Sequence, residues 1–266
     1  MKEILVNAQW QGGADIRPYL GAQELTELYL AETSFKTIPV SPDEGAVAAK
    51  VNGIVGFETL RRQIQDAFAL LSADTPDKVF TLGGGCDADV PSLAYLNEKY
   101  RGDLTILWLD AHGDLNTPEE SSSSLFYGMP LRAAMDSACF GLLKNPCPVR
   151  SSQIIHIGGR DFDAAEEEFI RSSGIRRYTV SDIRAGRLPT VDSAKHVYIH
   201  LDLDVLDPSA FPHTPLPVAD GLTCEELYEI LEAFKDKLVG FGMYEYIPLR
   251  RKVPFIEKLL SYGLTL

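Results

Sequence analysis

Short, continuously apolar runs that stop at acidic or glycine-rich residues punctuate this chain, and they restrict its fold more than any other feature. The run at 79–82 leads into Gly83-Gly84-Gly85, 104–109 into Asp110, 153–157 into Gly158-Gly159, 197–201 into Asp202, and 238–244 into Glu245. Stretches with helical periodicity lie between them, at 57–71, 91–100, 164–172 and 223–234. A strand apolar on both faces must be covered on both, and strands separated by helices pair in parallel. The pattern predicts an α/β chain, a three-layer αβα sandwich around a central, mostly parallel sheet. At 266 residues, 45% of them hydrophobic, the chain can build one sizeable core. It shows no internal repeat, and its one low-complexity stretch is Ser121 to Ser124, so a single domain over 1–266 is expected.

The formal net charge of −13 leaves no basic footprint for nucleic acid or an anionic membrane surface. The first residues carry no signal-peptide pattern, and no run approaches the roughly 18 apolar residues of a membrane span. The cysteines at 86, 139, 147 and 224 form no CxxC pair and are expected as reduced thiols of a cytoplasmic protein.

In open parallel sheets, ligands bind beyond the carboxyl ends of the strands, which is where the acidic segments of this chain fall. Asp110, His112 and Asp114 alternate, so in extended backbone their side chains face one way. Asp202 and Asp204 repeat the spacing after a second apolar run. A lone DxD is ordinarily a turn or a helix cap. Two such clusters, each directly after a buried strand, gather carboxylates that cannot all stay ionised without cations between them. Oxygen-rich ligation with one imidazole suits Mn²⁺ better than a structural zinc site. Two metals about 3.5–4 Å apart can share a hydroxide as nucleophile.

Three segments, LGGGCDAD (82–89), LDAHGDLNTPEESSSSLFYGMPL (109–131) and HLDLDVLDPSAFPHTPLPVADGL (200–222), carry a more specific signal. Together they resemble the ureohydrolases, the family of arginase and agmatinase, from about residue 78 to 245. The resemblance implies a sheet of about eight strands and a centre of two Mn²⁺ per chain that hydrolyses a guanidine C–N bond. It implies Asp110 and Asp202 as bridging ligands, Asp114 beside the first metal, and His112 with Asp204 beside the second. Glu245 matches the residue that faces the guanidinium, a planar cation that a carboxylate can bind bidentately. Asn116 and Ser123 match positions that contact a substrate α-carboxylate, and Asp163 and Glu166 match those facing its α-ammonium. The implied partner is a small guanidino amino acid rather than agmatine, with Asp114 passing a proton to the departing nitrogen. A homo-oligomer is implied by the resemblance alone.

The chain departs from the family pattern at several positions. Cys86 stands where the family has a metal-binding His. Either the thiolate ligates the first metal, since metal contact deprotonates thiols, or the site is degenerate and one metal is lost. A thiolate donates more charge than imidazole and weakens the metal as a Lewis acid. Tyr127 replaces a His that serves arginases as proton shuttle; with a pKa near 10 it is a poor shuttle but can donate a hydrogen bond or stack on substrate. Leu125 and Leu216 replace an Asn and a Thr. His213 is either a substitute base or a plain solvent-facing loop residue.

A weakened metal and a missing shuttle should make arginine a poor substrate. An N-hydroxy group lowers guanidine basicity and can itself approach the metals. The same substitutions resemble the branch of the family that acts on Nω-hydroxy-L-arginine in D-cycloserine biosynthesis, which implies L-ornithine and hydroxyurea as products. The alternatives are an arginase or agmatinase acting on an unmodified guanidine, and a catalytically inactive arginase-like binding subunit.

Overall fold

The apolar runs become strands of one sheet in a computed structural model that describes residues 1–43, 49–145, 147–191 and 196–266. The chain runs β1 (Lys2–Asn7), α1 (Arg17–Tyr29), β2 (Lys36–Thr37), β3 (Lys50–Val51), β4 (Ile54–Val55), α2 (Phe57–Asp74), β5 (Lys78–Gly83), α3 (Val90–Lys99), β6 (Thr105–Leu109), α4 (Pro130–Met135), α5 (Ser137–Phe140), β7 (Ile154–Ile157), α6 (Ala164–Ser173), β8 (Arg176–Tyr178), α7 (Val180–Arg184), β9 (Val197–Asp202), α8 (Cys224–Phe234), β10 (Leu238–Tyr244) and α9 (Pro254–Leu264). Eight strands form a sheet in the order β2-β1-β5-β10-β9-β6-β7-β8, and every neighbouring pair is parallel. β3 and β4 make a separate antiparallel hairpin.

Strand β6 shows why both faces are covered. Ile106 and Trp108 pack with Ala67 and Leu71 of α2, Leu93 of α3 and Ile170 of α6. Leu107 and Leu109, pointing the other way, pack with Leu25 of α1, Ile183 of α7, Leu227 of α8 and Leu259 of α9. Alternate residues of one strand thus feed two apolar layers, as a strand hydrophobic at every position requires. The helices begin where local chemistry starts them. Thr223 accepts from the Glu226 N–H at 3.1 Å while the Glu226 carboxylate accepts from the Thr223 N–H at 2.8 Å, a reciprocal cap for α8.

The expected three-layer architecture is present, with strand ends within about a residue of those anticipated. Outside the stretches read as elements lie β1 to β4, β8, α1, α4, α5, α7 and α9, and α2 continues to Asp74. The serine tetrad is stitched down, its Ser124 carbonyl accepting from Val55 N and its hydroxyl from Lys50 Nζ. All four cysteines are free. Among the described residues no helix is long and apolar enough to cross a membrane.

The order of strands positions the site. The chain leaves β5, builds β6 three places away, and later fills the gap with β9 and β10. Met243 lies opposite Leu82, Tyr244 opposite Asp202, and Leu109 opposite Leu201. The residues that follow these strands therefore emerge level with one another, at a point where the strand order reverses.

Candidate active site

Four neighbouring strand ends deliver the acids. Beyond β5 a short 3-10 turn, Cys86–Asp89, carries the thiol; β6 is followed by Asp110, His112 and Asp114; β9 ends in Asp202 and continues to Asp204; Glu245 follows β10. Backbone amides fix four of the carboxylates. The Asp110 carboxylate accepts from His112 N at 2.7 Å and from Trp108 Nε1 at 3.2 Å. Asp202 accepts from Asp204 N at 2.7 Å, and Asp204 from Ala111 N at 3.0 Å. Glu245 accepts from Cys86 N at 3.1 Å. Asp114 and Glu245 both sit in left-handed backbone, at φ 57° and 60°, a conformation that costs non-glycine residues energy and gathers at functional sites.

These groups converge. Cys86 Sγ lies 2.9 Å from Asp202 Oδ2, and His112 Nδ1 lies 2.9 Å from Asp204 Oδ2 and 3.6 Å from Asp110 Oδ1. Donor atoms of Cys86, Asp202 and Glu245 fall within 4.8 Å of one another, as do those of Asp110, His112 and Asp204. All six metal-ligand candidates read from the sequence are thus in one cluster, and five of them are buried, with His112 partly so.

The electrostatics of the cluster say what it lacks. Burial, then the charge of Asp110, pushes the Asp114 carboxyl well up; burial with Asp204 and Asp110 does the same to Asp202. Burial and Asp110 raise Asp204, and burial with the Asp202 charge holds the Cys86 thiol protonated. Burial also acts on Asp110, but His112 outweighs it and brings that carboxyl to about 2. His112 is burdened by burial yet held protonated by Asp110 and Asp204. Asp114 Oδ2 is buried with no hydrogen-bond partner. Acids that suppress one another's ionisation, around an orphaned oxygen, form a donor set that divalent cations fit. The oxygens suit manganese, and the thiol is the soft exception.

A second zone lies outward. Asn116, Ser123, Tyr127, Asp163 and Glu166 line a cleft that also reaches His112 and Asp114. Asn116 Nδ2 donates to Asp163 Oδ2 at 2.9 Å. The Glu166 carboxylate accepts from Leu115 N and from Asp163 N, both at 2.9 Å, and so ties the loop after β6 to the start of α6. Ser123 Oγ accepts from Leu125 N at 3.2 Å. Tyr127 packs on Gly13, and burial lifts its phenol further from neutral pH. Leu125 and Leu216 line the deeper cavity, whereas His213 is half-buried, edge-on to Phe211, with its carbonyl taken by Ile247 N.

Several lining residues carry no signature in the sequence reading. Trp10, Gly13 and Asp15, from the loop after β1, and Pro18, at the start of α1, form a wall of the deep cavity. Asp161 lies 3.8 Å from His112 Nε2. Asp87 is fully buried beside Gly12, where a Cβ would fall 2.4 Å from its carboxylate. His156 Nε2 donates to the His112 carbonyl at 2.7 Å, and burial lowers its pKa to about 4. Arg160 reaches the carbonyls of Asp204, Leu206 and Val218 and holds the loop beyond β9 in place.

With this geometry in view, the likenesses to known proteins are informative. The family described as "Arginase family" matches residues 12–253. The chain is 33% identical over 213 residues to the arginase of Staphylococcus aureus strain MRSA252, covering 74% of this chain and 70% of that one. It is 31% identical over 190 residues to the arginase of Coccidioides posadasii strain C735, an alignment that spans 64% of this chain and 59% of the fungal protein. The Entamoeba histolytica arginase solved with L-ornithine superposes with a TM-score of 0.81 at 20% identity, over 99% of this chain and 96% of that one. The agmatine ureohydrolase of Thermoplasma volcanium gives 0.70 at 18% identity, over 99% and 87%. At such identities the structural likeness is one of fold.

Proposed function

The chain belongs to the arginase family, and from that premise we propose that it hydrolyses Nω-hydroxy-L-arginine to L-ornithine and hydroxyurea, as a cytoplasmic single-domain enzyme of D-cycloserine biosynthesis. The observation that carries the reading is the thiol of Cys86, 2.9 Å from Asp202 within the acid cluster, at the position where the family resemblance calls for an imidazole.

Two divalent cations, Mn²⁺ suiting the donors best, would be held by Cys86, Asp110, Asp114 and Asp202 on one side and by Asp110, His112, Asp202 and Asp204 on the other, and would supply Lewis acidity and a water acidic enough to serve as nucleophile. The protein's own groups do the rest. Glu245, steered by the Cys86 N–H and fixed in left-handed backbone, accepts the N–H groups of the guanidine. The hydrogen-bonded pair Asn116 and Asp163, with Ser123, receives the amino-acid end, and Glu166 holds Asp163 through its backbone. Binding both ends places the guanidine carbon over the cluster and makes attack effectively intramolecular. Asp114, whose Oδ2 has no protein partner, would take up the proton that the attacking water gives up. That proton goes to the nitrogen leaving as the ornithine side-chain amine as its bond to the guanidine carbon breaks. Tyr127 bounds the mouth as a neutral hydrogen-bond donor.

An N-hydroxyguanidine fits these groups because it is less basic than arginine's guanidinium and asks less of a site without a shuttle. The test is product identification with manganese-loaded protein offered Nω-hydroxy-L-arginine, L-arginine and agmatine in turn. Hydroxyurea with ornithine is expected to dominate, with kcat/KM about tenfold or more above arginine, worth about 1.4 kcal/mol of barrier. Dominant turnover of agmatine would remove the roles given to Asp163 and Glu166. No turnover of any of them by metal-loaded protein would favour a binding subunit.

A further inference from the structure

Behind the acid cluster lies a buried imidazole with one nitrogen unaccounted for. His200 stands two residues before Asp202 on β9, so the two side chains share a face of the sheet. Its ring is clamped between Trp108, at 3.4 Å between centroids and 3° between planes, and Tyr244, at 4.7 Å and 15°. His200 Nδ1 lies 2.9 Å from Asp89 Oδ2. The other oxygen of Asp89 accepts the hydroxyls of Tyr198 and Tyr244. Glycine makes room for this arrangement: a Cβ on Gly83 or on Gly242 would fall 2.2 Å from atoms of Tyr244.

A carboxylate only accepts hydrogen bonds, so the network puts a ring hydrogen on Nδ1 and leaves Nε2 turned away from Asp89. Nε2 has no hydrogen-bond partner although the residue is fully buried. It faces Asp110 Oδ2 at 3.8 Å, too far for a hydrogen bond. Donor atoms of His200, Cys86, Asp110 and Asp114 all lie within 4.8 Å of one another. Donors bound at about 2.1 Å to one ion stand about 3 Å apart at right angles and about 4.2 Å apart when opposed, which brackets the separation of His200 from Asp110. A buried ring nitrogen and a carboxylate oxygen that face each other without a hydrogen bond leave a gap that a cation bound to both would fill.

We propose that His200 is a nitrogen ligand of the cation nearest Cys86, oriented by Asp89, and that it supplies the imidazole absent from position 86. The inference deepens the function proposed above and rests on its premise that divalent cations occupy the cluster. Asp89 is the positioning residue, in the carboxylate–histidine–metal arrangement that fixes tautomer and ring direction.

The test uses the full chain loaded with Co²⁺, with histidine rings labelled with ¹⁵N, and proton NMR outside the diamagnetic envelope. A ligand imidazole shows a strongly shifted ring N–H, and that of His200, buried against Asp89, should exchange slowly with D₂O. The expected result is one slowly exchanging, ¹⁵N-coupled signal, lost in His200→Asn and faster to exchange in Asp89→Asn. His200→Asn is also expected to lower Co²⁺ affinity about tenfold to a hundredfold. If His200→Asn does not fold, the labelled wild-type spectrum decides alone. Retention of Co²⁺ with no such signal, or a signal unchanged in His200→Asn, overturns the assignment and leaves the proposed function standing. Wild-type protein that retains less than one Co²⁺ per chain overturns both.

Discussion

The deep acid cluster and the outer cleft are both rich in carboxylates, yet the two zones treat them in opposite ways. In the cleft, Glu166 accepts two backbone N–H groups and Asp163 accepts from Asn116, so the protein itself satisfies these acids. In the cluster, burial and neighbouring charges raise the carboxyls of Asp114, Asp202 and Asp204, and Asp114 Oδ2 finds no partner. Satisfied acids shape a pocket. Unsatisfied ones wait for a cation. A charge cluster is therefore read by what its oxygens still need, more than by how many there are.

Substitutions should separate the zones in size and kind. Asp202→Asn, which removes a shared ligand, is expected to lower kcat/KM on the order of 10³-fold, about 4 kcal/mol of barrier, and to reduce bound Mn²⁺ measured by atomic emission. Retained activity would break the distinction outright. Cys86→His is expected to raise turnover of arginine relative to Nω-hydroxy-L-arginine by about tenfold, about 1.4 kcal/mol; an unchanged or lower ratio means that the thiol does not set specificity. In the outer zone Asn116→Ala should raise KM about fivefold, for about 1 kcal/mol of lost hydrogen bonding, with kcat nearly unchanged. A matching loss in kcat would move Asn116 into the chemical zone. Glu166→Gln turns an amide donor toward a backbone N–H and should cost about 2 kcal/mol, lowering Tm by about 4–8 °C in a thermal melt.

The smallest effect is a pH slope. Burial raises Asp87 to about 7 from an ordinary 3.8, and Asp114, Asp202 and Asp204 are raised in the same direction. Between pH 4 and 7 the folded, metal-free chain then holds protons that the unfolded chain has released, so its stability falls as pH rises through that window. Bound Mn²⁺ requires ionised ligands and should flatten the slope. Parallel Tm–pH curves with and without Mn²⁺ would erase the contrast between the zones.

The cluster was legible in the sequence because most of its acids are local. Asp110-x-His112-x-Asp114 and Asp202-x-Asp204 each follow an apolar run, and strand geometry does the rest. The parallel sheet was legible for the same reason, since every core strand is apolar at consecutive positions. The wall formed by Trp10, Gly13 and Asp15 was not legible, because it reaches the site only when β1 pairs with β5 and carries its loop over the rim. His200 escaped notice for a different reason. An unmarked histidine inside an apolar strand looks like core, and the Asp89 that orients it is 111 residues away. Its place two residues before Asp202 was the available clue. For Glu166 the sequence did hold a local signal, the three-residue spacing from Asp163 that marks a helix start, beside its match to a substrate-facing position.

Anomalous diffraction at the manganese edge, from crystals grown with Mn²⁺, tests the central claim most directly. Two peaks about 3.5–4 Å apart among Asp110, Asp114, Asp202 and Asp204, with those carboxylates turned toward them, are expected. Full exposure to Mn²⁺ that leaves no peak there, with the acids still crowded and protonated, would contradict it.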